Sequence, residues 1–254
     1  MQEGFLKRGQ ITIFIILGLA ILVIVVLLFT GGGNIGSFFS GQSPVAQIER
    51  CVFDDFEGLL DKVGEQGGQI NPQHYYLYED KKVSYTCYTQ ESFKRCVMQR
   101  PFLERAIETE LANYLKPKIE ECLAQTKESF GAESVNYAQP QIGVTLSPGN
   151  VLVAIKVDLV IADGEERQSY EYIKKDFSSR LYDFAVVAGE ITNNEVTFGD
   201  DQIDGYMYKD KTLKVEKLKQ GDETTVYRLS DRGSDEKFLF AVRSLAIPPG
   251  WIEV

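Results

Sequence analysis

Hydrophobic positions fall into three regimes along the chain. Residues 11–29 read ITIFIILGLAILVIVVLLF and carry no charge; at ~1.5 Å per residue they make a helix about as long as a bilayer's hydrocarbon core is thick. Beyond them Val45, Ile48, Val52, Phe56, Leu59 and Val63 recur at three- and four-residue steps, which predicts one helix stopped by Gly67-Gly68. From Gln141 the period drops to two, and Val151, Val153, Ile155, Val157, Leu159 and Ile161 give a strand with one wholly aliphatic face.

Other elements follow from turn chemistry and spacing. Residues 74–86 predict a hairpin turning at Glu79-Asp80-Lys81-Lys82. Residues 101–129 predict a second long helix, kinked or divided at Pro117. Residues 141–146, 151–161 and 167–177 form an antiparallel meander with Asp163-Gly164 in one turn. A third helix is expected over 179–191, then shorter strands over 206–217, 225–229 and 237–245.

The expected fold class is α+β: an N-terminal transmembrane helix, then an extracytoplasmic domain with helices packed on one face of an antiparallel sheet. Residues 1–30 are the cytoplasmic stub and span, 31–44 a Gly-rich linker, and 45–254 the outer domain, helical and disulfide-stapled over 45–130 and mainly β over 140–254.

Charge orients the chain. Lys7 and Arg8 precede the apolar run, and no charge follows it until Glu49, so the N-terminus is expected in the cytoplasm and the large domain outside. A cleaved secretory signal peptide competes with an anchor, but its apolar core is shorter and ends in a small-x-small site. The net charge of −10 repels phosphate backbones, so nucleic acid is not an expected partner.

Lys7-Arg8-Gly9-Gln10, leading directly into the apolar run, resembles an archaeal class III, prepilin-like signal peptide. The resemblance implies processing between Gly9 and Gln10. The chain departs from the bacterial pilin pattern at Phe14, where that pattern has an acid. The wider opening KRGQITIFIILGLAIL is similar to that of uncharacterised single-pass membrane-anchored proteins of small-genome archaea. Gln66-Gly67-Gly68, Glu121-Cys122-Leu123 and the FLFAV at 238–242 are similar to theirs too. This likeness implies an anchored protein with an outer domain and brings no activity with it.

Four cysteines, at 51, 87, 96 and 122, suit disulfides in an extracytoplasmic domain. Three connectivities are possible. The favoured one is nested, Cys51 with Cys122 and Cys87 with Cys96. Zinc ligation is the weaker use, because the spacings are wrong and the chain has a single histidine, His74.

Candidate chemistry is sparse. His74 stands near no nucleophile motif, and no phosphate loop, dinucleotide fingerprint or His-Glu-x-x-His is present. Residues 199–205 begin like a calcium loop but place Lys211 where a bidentate Glu belongs, so they read as a solvated turn before a strand. No catalytic residue, metal or cofactor is assigned. Tyr75, Tyr76, Tyr78, Tyr85 and Tyr88 suit a sugar-stacking platform or, more commonly, ordinary sheet packing.

The leading expectation is a non-enzymatic cell-surface protein, held in the bilayer by residues 11–29, whose outer domain binds a protein or surface polymer. The alternatives are a pilin-like filament subunit and an extracytoplasmic hydrolase with paired carboxylates.

Overall fold

The structure is a computed structural model that describes Gly18 and residues 43–131, 134–163 and 166–246. Except for Gly18, the expected span 11–29, the Lys7-Arg8 signal, the Gly9-Gln10 site and the spacer up to residue 42 lie outside the described residues. No helix among the described residues is long and apolar enough to cross a membrane. The chain from Pro44 onward forms one compact unit.

That unit is mixed α and β. Helices α1 (Pro44–Phe53) and α2 (Phe56–Glu65) lead into strands β1 (Tyr75–Tyr78), β2 (Lys81–Tyr88) and β3 (Val97–Met98). Helix α3 (Leu103–Phe130) follows, then β4 (Val135–Asn136), β5 (Gln141–Ser147), β6 (Asn150–Asp163) and β7 (Glu166–Ser178). Helices α4 (Leu181–Phe198) and α5 (Asp204–Lys209) precede β8 (Leu213–Lys219), β9 (Thr225–Asp231) and β10 (Lys237–Arg243).

Two sheets form. One is the expected meander, with β6 between β5 and β7 and β4 against the far end of β6. The other runs β1-β2-β10-β9-β8 with β3 beside β2. The closing strands therefore do not extend the meander; they join the early hairpin, and β2 pairs with β10 in parallel. Segments expected to be helical and mainly β thus interleave, and helix α4 packs on strands of both sheets.

The aliphatic face of β6 is the floor of the core. Val151, Val153, Ile155, Val157 and Leu159 are all fully buried, each contributing ~1.5–3 kcal/mol relative to exposure. Helix α3 covers β5, and α1 lies along α3. Phe53 and Phe56, where α1 meets α2, close over Phe177 at 5.5 and 4.4 Å between ring centres.

Three local expectations are corrected and the one at Pro117, a kink or a division, is narrowed. The single helix from Val45 is two, broken at Asp54-Asp55, where Asp55 has φ 57° and Lys118 Nζ donates to the Asp54 carbonyl at 2.9 Å. The apolar rhythm survives because Val52, Phe53 and Phe56 still point inward.

Helix α3 runs without division through Pro117. Pro117 and Asn113, whose carbonyl loses its partner, both sit on the solvent side. Helix α4 continues to Phe198, where Gly199 at φ 79° lets its N–H reach the Glu195 carbonyl at 2.9 Å.

Residues 206–217 are not one strand. Tyr206 and Met207 pack against the core from α5, Tyr208 is exposed, and Asp210 turns the chain by accepting from the Thr212 N–H at 2.9 Å before β8 begins.

Candidate binding face

The β2 strand sets the two faces of the second sheet. Ser84 and Thr86 point toward the helices: Ser84 donates to Gln69, and the Thr86 hydroxyl lies 2.9 Å from that of Thr192 in α4, whose own proton goes to the Ala188 carbonyl. Val83 and Tyr85 therefore point the other way. There they form a separate small cluster with Val226, Leu239 and Ala241, bordered by Tyr76, Tyr78, Tyr88 and Leu218.

The β1–β2 hairpin brings its aromatic residues together because the two-residue turn Glu79-Asp80, with φ 46° and 61°, pairs Tyr76 with Val83 and Tyr78 with Lys81. The His74 ring lies 4.9 Å from Tyr85 and 4.4 Å from Tyr88, and the two tyrosines are 4.8 Å apart. Four of the five tyrosines singled out in the sequence thus share one face, and Tyr75 turns to the other side under Lys82. His74 is an exposed aromatic neighbour there.

Polar groups finish the face. Tyr85 Oη shares a 3.0 Å hydrogen bond with Thr224 Oγ1, and the Asp222 carboxylate accepts from both the amide and the hydroxyl of Thr224. Arg243 donates to the carbonyls of Asp222 and Thr89 at 3.2 and 2.6 Å. Arg228 donates to the Tyr78 hydroxyl at 3.1 Å and to Glu79 at 3.2 Å. Burial, with Asp222 nearby, raises the Tyr76 phenol above its ordinary range. These hydroxyls, the Asp222 and Glu79 carboxylates and the two guanidinium groups pair with one another or with backbone carbonyls around half-buried tyrosine rings, and Val83, Tyr85, Val226, Leu239 and Ala241 between them are buried.

The cysteines lie elsewhere. Cys51 is bonded to Cys122 and Cys87 to Cys96, with Cα atoms 5.8 and 5.4 Å apart, which is the nested pairing. The first bond ties α1 to α3, and the second closes the loop before β3.

The acidic loop at 199–205 is tied down by side chains of α4 and β8. Lys217 Nζ bonds the Asp200 carboxylate and the Asp201 carbonyl, and Asn194 donates to Asp201 at 2.7 Å. It leads into helix α5 and not into a strand.

Sequence reading missed Arg228, Arg243, Asp222 and Thr224. For Arg228 and Arg243 the alternation with Val226 and Ala241 was a usable signal; Asp222 and Thr224 reach the face through the turn before β9, whose register no local pattern reveals. No protein-family model, curated protein or solved structure matches the chain.

Proposed function

We propose that the chain is a single-pass cell-surface protein. Residues 11–29 span the membrane with Lys7 and Arg8 on the cytoplasmic side, and the disulfide-stapled domain outside binds a protein or surface polymer without catalysing a reaction. The observation that supports this most is that both cysteine pairs are bonded, a state that persists outside the cytoplasm. The tyrosine-rich outer face of the second sheet is the binding surface in this reading.

The test places a photo-reactive amino acid at Tyr76 of the full chain in its native membrane, with the same probe at Tyr172 as control. A cross-linked adduct at 76 and none at 172 is expected. An adduct-free Tyr76 site, with the chain folded, removes this face from the proposal.

Lys7-Arg8-Gly9-Gln10 supports a second reading, a pilin-like subunit of a surface filament whose helix is freed by cleavage after Gly9. Gly31-Gly32-Gly33 argues against it, because a pilin helix continues into its head. Mass spectrometry of the N-terminus separates them: a mature chain starting at Gln10 favours the filament, and an intact start favours the anchor.

A further inference from the structure

A pocket of about 270 Å³ lies between α4 and α5 and shares no lining residue with the tyrosine face. Tyr182, Val186 and Val187 of α4 line one side, and Tyr206 and Leu213 face them. Such a lining is apolar with two aromatic rings, and the volume suits a ligand of only a few heavy atoms.

The charges around it are unbalanced. At one end Arg180 faces three carboxylates, Asp183 at 3.7 Å, Asp231 at 2.7 Å and a closer Asp210, so one guanidinium answers only one of three negative charges. At the other end stands Glu190, whose carboxylate makes no hydrogen bond or ion pair among the described residues. Lys209 is the other cation of the lining and is exposed. The Tyr206 phenol is raised chiefly by burial, and the Asp201 and Glu190 carboxylates add to it, so their negative potential reaches this ring.

We infer that this pocket binds a small alkylammonium ion, its apolar substituents against Val186, Val187 and Leu213 and its charge beside Glu190 and the tyrosine rings. Aromatic faces attract such cations electrostatically, and desolvation on an apolar floor strengthens the attraction. An anion is disfavoured by the carboxylate excess, and a bare metal ion by the apolar floor.

The alkylammonium group is either free in solution or carried by a lipid headgroup. The full chain is measured in phosphatidylglycerol nanodiscs by calorimetric titration with choline and with 3,3-dimethylbutan-1-ol, its uncharged isostere. Saturable choline binding is expected, with the isostere weaker by about tenfold. Glu190→Gln, at an exposed position, should weaken choline binding about fivefold and leave the isostere unchanged. A choline response lost in phosphatidylcholine nanodiscs assigns the site to a headgroup; a retained response assigns it to the free ion. Equal binding of the two compounds, or no saturation by choline, overturns the inference.

Discussion

Tyr227 of β9 and Glu195 of α4 meet in the buried layer between sheet and helix, where the phenol donates to the carboxylate. Lys217 Nζ stands 3.8 Å from the same carboxylate. Burial nevertheless prevails, and it lifts the Glu195 carboxyl above its ordinary value of 4.5 against the lowering by Tyr227 and Lys217. The stability this group supplies is therefore full below that ordinary value and is lost as pH rises through the raised folded value. Glu195→Gln removes the titration, so the variant should gain stability relative to the wild type as pH rises from the ordinary value of 4.5 toward neutrality. Urea unfolding across that range checks it, and a constant difference would show that Glu195 does not titrate there.

Arg180 has the opposite sign of effect. Burial works to raise the Asp210 carboxyl, but the hydrogen bonds from Arg180 and Thr212 outweigh it and hold it down to about 2. Asp231 is lowered too, with burial again outweighed by Arg180 and Ser234. Their contribution is present above the ordinary carboxylate value of 3.8 and is lost as pH falls toward about 2. Arg180→Ala should cost about 2 kcal/mol at neutral pH and flatten this acid limb. Thermal unfolding of both proteins between about pH 2 and pH 6 reads out both effects.

Removal of the two disulfides should differ in cost. Cys51 and Cys122 are separated by 71 residues and Cys87 and Cys96 by 9. Chain entropy gives about 4 kcal/mol for the first and about 3 kcal/mol for the second. Paired Cys→Ser variants, unfolded in urea, should rank in that order, and the reverse order would point to strain or residual unfolded-state structure.

Pro117→Ala should stabilise the protein. The substitution restores an N–H in the middle of α3 at an exposed position that packs against nothing essential. The gain is expected at roughly 1–3 kcal/mol, measured by denaturant midpoint. A loss would mean that the helix needs a bend there.

Much of the architecture was legible because its signals are local. The alternation from Val151 to Ile161 marks β6, and the steps from Leu103 to Leu123 mark α3. The break at Asp55 was not legible, since the apolar spacing runs through it unchanged and Lys118 holds it from another helix. Nor was α5, a six-residue helix whose Tyr206-Met207 reads equally well as strand. The pairing of β2 with β10 joins segments some 150 residues apart, and only tertiary packing decides it. The candidate face was legible as a run of tyrosines, but its arginines and Asp222 arrive from β9, β10 and the turn before β9.

The proposed placement of this domain outside the cell, on an anchored chain, is open to a count of its free thiols. The native, unreduced chain is taken from intact membranes, treated with iodoacetamide and weighed before and after reduction. None of the four cysteines should be alkylated until the chain is reduced, and peptides holding Cys51 and Cys122 should be joined in the unreduced digest. Four freely alkylated thiols in the unreduced native chain would contradict both the disulfides and the extracytoplasmic placement that rests on them.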